Sequence, residues 1–238
     1  MSKLTRRLLL ATGGITVAAV GVGGYLIKHP LPAPIGFDVT PEELARARAL
    51  LARHISIDAH AHPGRTFVKG AENLSGLVWV YAHLGSFEQR TLDTMKAGNL
   101  TGASFAAVAD FQVLGTAGEG LTARREFEPG EAWASYQRQI GHLKGLVERG
   151  QVYPVNVAAD FAAARAAGKP GALLTVEGGD FLEGKPERVA QAHADGVRSI
   201  TLMHYRNNEL GDIITGAPQH GKLTADRKST RLNSSHRP

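Results

Sequence analysis

Three short strings carry the residues whose types and spacing could do chemistry. In Ile55-Ser-Ile-Asp-Ala-His-Ala-His-Pro-Gly64, the side chains Asp58, His60 and His62 have the same parity. On a strand they would leave one face, with neighbours about 6.5 to 7 Å apart. Two imidazoles so spaced can converge on one cation, and Pro63-Gly64 would end the strand at its C-terminal rim, where barrel enzymes keep their sites. The second string, Leu173-Leu-Thr-Val-Glu-Gly-Gly-Asp180, is an apolar run that ends in a carboxylate. A buried Glu177 needs an ion-pair partner or a metal, and the two glycines would let a ligand or a second metal approach the backbone. The third, Val197-Arg-Ser-Ile-Thr-Leu-Met-His204, ends in an imidazole and runs into Tyr205-Arg-Asn-Asn-Glu-Leu-Gly-Asp212. His204 could polarise a substrate carbonyl or be a packed rim histidine. His54, His83, His142, His193 and His220 have no partner motif and are expected to be solvated.

Positioning these groups requires strands that alternate with helices, and the punctuation supplies them. Thr40-Pro41-Glu42-Glu43 pairs an N-cap with a proline at the first helical position and a capping-box glutamate, launching a helix with Leu44, Ala47 and Leu51 on one stripe. Residues 55–60 read as a strand, 87–97 as a helix, 103–109 as a strand and 133–149 as a helix stopped by Gly150. Residues 152–157 read as extended, 158–167 as a helix, 173–177 as a strand, 186–194 as a helix and 197–204 as a strand. Such alternation predicts parallel strands with helical crossovers. Residues 64–85 and 115–130 read as loop-like insertions, which commonly shape substrate sites.

The composition fits a globular chain: 238 residues, 43% hydrophobic and 21% charged, enough to bury a core and unlike a disordered tract. The absence of cysteine excludes thiolate zinc sites, disulfides and a cysteine nucleophile, so any metal must be held by His, Asp or Glu. The net charge of +5 comes from the two ends: residues 1–28 carry +4 and residues 226–238 carry +3, leaving −2 for residues 29–225. No basic face is implied, and nucleic acid is not expected as a partner.

The ends themselves are expected to lie outside the fold. Thr5-Arg6-Arg7-Leu8 opens an uncharged run of 20 residues from Leu8 to Ile27 and resembles a twin-arginine export signal. Export to the periplasm, or anchoring to the membrane through residues 8–27, is therefore expected. Residues 226–236 resemble the translation of a sequencing-library adapter, so the natural chain is expected to continue past Ala225 and this one to be a truncated fragment. The resulting organisation is a leader over 1–28, a linker and helix over 29–54, a partial barrel over 55–225 and a foreign tail over 226–238.

Taken together, Ile57-Asp-Ala-His-Ala-His62, Val176-Glu-Gly-Gly179 and Gly196-Val-Arg-Ser-Ile-Thr-Leu-Met-His204 followed by Asn207-Asn208 resemble the membrane (renal) dipeptidase family, peptidase family M19, of the amidohydrolase superfamily. The resemblance runs from Ile55 to Ala225, where Gly221-Lys-Leu-Thr is similar to a further family segment. It implies a (β/α)8-type α/β barrel, two zinc ions and hydrolysis of dipeptides through a metal-bridged hydroxide. By position, His60 and His62 would bind the first metal and Glu177 would bridge both. His204 would meet substrate and the developing oxyanion, with Asn207 and Asn208 beside it as substrate-binding residues. The family's usual opening is His-x-Asp, whereas this chain has His62 in the second place, as in the wider superfamily. The ligands of the second metal, with an Arg and an Asp that handle substrate, would fall beyond Ala225. By itself this chain is therefore expected to be inactive and, with half a barrel and an open parallel edge, prone to aggregation. A homodimer stays open. Two rivals stand beside this reading: another amidohydrolase (a lactonase, a phosphotriesterase-like enzyme or a deaminase) and a non-enzymatic exported binding protein.

Overall fold

The computed structural model describes residues 36–64, 87–117, 120–214 and 216–220, together with Tyr25, Trp79 and Val80. The expected leader and tail, His83 and nearly all of the expected loop at 64–85 lie outside the described residues. The chain divides into two units, Met1–Arg46 and Ala47–Pro238. In the first unit the predicted capping box is formed: the Glu43 N–H donates to Thr40 Oγ1 at 3.2 Å and the Thr40 N–H donates to Glu43 Oε2 at 2.9 Å. It starts helix α1, Pro41–Arg53. None of the residues of α1 is buried, so the predicted apolar stripe covers no core among the described residues.

The second unit holds a five-stranded parallel sheet. Its strands are β1 (Ile57–Asp58), β2 (Gly102–Val108), β5 (Tyr153–Val155), β6 (Gly171–Glu177) and β7 (Ser199–Thr201), and its helices are α2 (Phe87–Ala97), α3 (Glu131–Glu148), α4 (Ala159–Ala166) and α5 (Glu187–Ala194). Two further strands, β3 (Leu114–Ala117) and β4 (Gly120–Ala123), pair antiparallel as a separate ribbon. Residues 115–130 are thus not simply the predicted loop. Thr116 opposite Leu121 and Leu114 opposite Ala123 give the cross-strand pairs that make a ribbon favourable.

β2 lies directly beside β6 over seven residues, from Gly102 opposite Gly171 to Val108 opposite Glu177. β5, which falls between them in sequence, instead shares the far edge of β6 with β7: β5 pairs with Gly171 to Leu173, and β7 with Thr175 to Glu177. Both are shorter than predicted because each has only half of that edge. β1 is also shorter, since the Asp58 carboxylate accepts the His60 N–H at 3.0 Å and this local bond competes with the ladder. The chain then rejoins β2, where the Ala106 N–H donates to the Ala61 carbonyl at 3.1 Å.

Strand alternation separates core from chemistry. Ala103, Phe105, Ala107, Ala172, Leu174 and Val176 join Tyr136, Leu143, Leu146 and Phe181 in one buried cluster under the helices. Each large side chain there stabilises the fold by about 1.5 to 3 kcal/mol. The opposite face carries Ser104, Val108, Thr175 and Glu177, with the Ser104 and Thr175 hydroxyls 2.6 Å apart. At the open end of β2 the side chain of Gln139, on α3, substitutes for a neighbouring strand. Its Oε1 accepts the Val108 N–H at 2.9 Å and its Nε2 donates to the Val108 carbonyl at 2.8 Å. α3 stops as predicted: Gly150, at φ 68°, takes the left-handed turn that brings the Gln151 N–H back to the Leu146 carbonyl.

Candidate metal centre

Because all five strands run the same way, their C-terminal ends open on one rim. Glu177 is the last residue of β6, its side chain only 8% exposed, and three imidazoles surround its carboxylate. His60 Nε2 lies 3.1 Å from Oε1, while His62 Nε2 and His204 Nε2 lie 3.5 and 3.4 Å from Oε2. The donor atoms of His60, His62 and Glu177 all fall within 4.8 Å of one another. The two ligand-type rings meet edge to face, with centroids 5.3 Å apart. Between a neutral imidazole nitrogen and a carboxylate oxygen both atoms present lone pairs, so each contact calls for a proton or a cation between them. His62 sharpens this. Its Nδ1 donates to the Ala106 carbonyl at 3.3 Å, which leaves the Nε2 lone pair of a neutral ring aimed at Glu177. The donor set, two nitrogens and a carboxylate, suits a borderline divalent cation such as zinc.

His204 is held from behind. Its Nδ1 donates to Asp110 Oδ1 at 2.8 Å, and the next residue's backbone, the Tyr205 N–H, donates to Asp110 Oδ2 at 3.0 Å. Burial pulls the His204 imidazole down, but the Asp110 hydrogen bond and the negative charges of Asp110, Glu177 and Asp180 outweigh it, and the ring titrates above its ordinary value.

A second buried carboxylate, Asp180, accepts from Arg206 Nη1 at 2.6 Å and lies 3.4 Å from Asn208 Nδ2. Burial pushes its acid group up, with Arg206 opposing. Arg206 also pairs with Glu126. The Gly178-Gly179 pair expected to admit a ligand is used for packing. A Cβ at Gly178, where φ is 91°, would stand 2.7 Å from Asp180 Oδ2, 3.3 Å from Ala109 Cβ and 3.6 Å from His204 Cβ; one at Gly179 would stand 2.3 Å from Leu210 Cδ1.

The structure thus brings His60, His62, Glu177 and His204 together. Asp58 is outside the donor group and lines a cavity of about 530 Å³ with His62, Arg90 and Met95. Asn207 and Asn208 tie the segment after β7 together: Asn207 bonds the Ile213 N–H and the Ala217 carbonyl, and Asn208 bonds the Leu210 N–H and the Leu202 carbonyl besides its contact with Asp180. His220, expected to be solvated, has its Nε2 2.9 Å from the Asn208 carbonyl oxygen. Asp110, Arg206 and Gln139 were not singled out in the sequence; an Asp two residues past a buried strand is the one signal that could have marked the first.

A family model described as membrane dipeptidase (peptidase family M19) matches residues 44–230. No curated protein matches the chain. Among solved structures, the chain is similar to the probable dipeptidase PvdM from Pseudomonas aeruginosa, with 21% identity and a TM-score of 0.56 over 82% of this chain and 48% of that one. An amidohydrolase from Pseudomonas aeruginosa is similar at 17% identity and a TM-score of 0.51, over 77% and 44%. A metallopeptidase called dipeptidase AC is similar at 17% identity and a TM-score of 0.52, over 75% and 54%. The chain therefore spans about half the length of these structures. At such identities the likeness is one of fold, and it agrees with the α/β, (β/α)8-type class read from the sequence.

Proposed function

We propose that this chain, which belongs to the membrane dipeptidase family, peptidase family M19, carries part of the active site of a zinc-dependent dipeptidase. The observation that supports the reading is the convergence of the His60, His62 and His204 Nε2 atoms on the one buried carboxylate of Glu177. His60, His62 and Glu177 would hold the first zinc, and Glu177 would be shared with a second. Bound there, a divalent cation supplies Lewis-acid polarisation of a peptide carbonyl and acidifies water. The chain's own residues do the rest. Glu177 fixes negative charge at the rim, and His62 is oriented by the Ala106 carbonyl. His204 turns Nε2 toward the same space, where the ring, when protonated on both nitrogens, can donate to a carbonyl oxygen that gains charge. Asn207 and Asn208 shape the loop beside it.

The substrate in this reading is a small dipeptide, no nucleic acid is engaged, and residues 1–28 direct export to the periplasm or hold the protein at the membrane; a homodimer is compatible with it. Among the described residues no helix is long and apolar enough to cross a membrane. His62 in the second metal position keeps a second reading in view, another amidohydrolase acting on a lactone, a phosphotriester or an amine. One experiment tests both: measure zinc per chain in the purified full-length parent, which carries the sequence expected past Ala225, and assay a dipeptide panel beside lactone, phosphotriester and deaminase substrates. Bound zinc with dipeptide cleavage is the expected result. Zinc-loaded, folded protein that cleaves only another class would overturn the substrate, and folded protein that binds no zinc would overturn the whole reading.

A further inference from the structure

We propose that Asp110 is the positioning residue of His204, fixing the ring's orientation and keeping a proton on Nδ1 so that Nε2 is the nitrogen presented to the carboxylate of Glu177. The importance of this for a reaction rests on the dipeptidase reading; the geometry does not.

Asp110 follows β2 by two residues and its side chain is fully buried. An ionised carboxylate can only accept hydrogen bonds. One oxygen takes the Tyr205 N–H at 3.0 Å, which a purely structural tie between β2 and the segment after β7 would need. The other is committed to the ring, 2.8 Å from Nδ1. A ring protonated only on Nε2 would set a lone pair against Asp110 at 2.8 Å, whereas one protonated on Nδ1 turns its lone pair to Glu177 at the longer distance of 3.4 Å, on the side where the rim calls for a cation. Asp180 does not compete for the ring, because it is engaged by Arg206 and lies near Asn208. Asp110 thus holds the ring by Nδ1 and leaves Nε2 as the nitrogen that faces Glu177.

The test is the neutral-ring tautomer of His204, read from two-bond proton–nitrogen correlations of the histidine-labelled full chain, with His204→Gln identifying the resonance. The wild type should show the Nδ1–H tautomer. In Asp110→Asn the amide oxygen can keep the Tyr205 N–H while the amide nitrogen donates to Nδ1, so the ring should switch to Nε2–H. Asp110→Glu, which restores a carboxylate, should retain Nδ1–H. An Nε2–H ring in the wild type overturns the proposal outright, even if Asp110→Asn does not fold; so does an unchanged ring in folded Asp110→Asn. These spectra need no turnover, so a protein without dipeptidase activity would defeat the functional reading and leave this inference intact. Where turnover is measurable, Asp110→Asn should lower kcat by about 10- to 100-fold with a smaller change in KM, and an unchanged kcat would also overturn it.

Discussion

Glu177 has its carboxylate almost out of solvent and three imidazole nitrogens within 3.5 Å of it. Removing a carboxylate from water costs several kcal/mol unless positive charge or hydrogen bonds offset it, so the arrangement is stable only with protons or a cation between the partners. Glu177→Gln keeps the shape and removes the charge. Calorimetric zinc titration should then give an affinity lower by more than about 100-fold, while Asp58→Asn should stay close to wild type. Equal affinities for Glu177→Gln and wild type would mean that zinc binds elsewhere. His60, His62 and Glu177 were legible as candidates because ligand residue types sat at the ends of apolar runs. The parity argument that joined the two histidines was not sound, since β1 ends at Asp58; they converge through the turn that Asp58 makes with the His60 N–H. Asp110 was illegible as a partner of His204 because 94 residues separate them and no local pattern links a strand-end acid to one particular imidazole.

At the scale of elements, helix ends were read well because their signals are local: Thr40 with Glu43, and Gly150 after α3. Strand neighbours are long-range, and nothing local in the sequence sets β6 directly beside β2. On its other side β2 has β1 only beside Gly102 and Ala103, which leaves Val108 without a strand there, and Gln139 fills the place with two hydrogen bonds. A glutamine within an otherwise apolar helix stripe gave no hint of this. Gln139→Leu fits the volume but strands a buried N–H and a buried carbonyl at Val108, each costing about 1 to 3 kcal/mol. Chemical unfolding should show a loss of about 2 to 4 kcal/mol, with faster amide exchange at Val108 and at its neighbour Ala109, whose N–H donates to the Glu177 carbonyl. A loss below half a kcal/mol would mean that water satisfies those groups and that Gln139 is dispensable to the rim.

For the molecule as a whole, parallel strands gather acids at one rim, Asp110, Glu177 and Asp180, while residues 29–225 carry a net charge of only −2. Acid stability therefore depends on individual carboxylates more than on net charge. The clearest is Glu131, at the start of α3. Both of its oxygens accept from Arg125 in the segment after β4, at 2.7 and 2.5 Å, and the Glu128 N–H adds a third bond at 3.0 Å. The Arg125 hydrogen bonds are the largest cause holding its acid group down at about 2. Its folded value is thus below the unfolded one of about 4.3, so its contribution is complete above that value and disappears as pH falls through about 2. With Arg125 47% exposed, solvent screening reduces that contribution to about 1 kcal/mol. Urea unfolding of wild type and Glu131→Gln should differ by about 1 kcal/mol at pH 7, and the curves should converge between about pH 4.5 and 2. A gap that persists undiminished at pH 2 would assign the effect to packing at the start of α3, because a carboxylate already protonated has no charge left for Arg125 to hold.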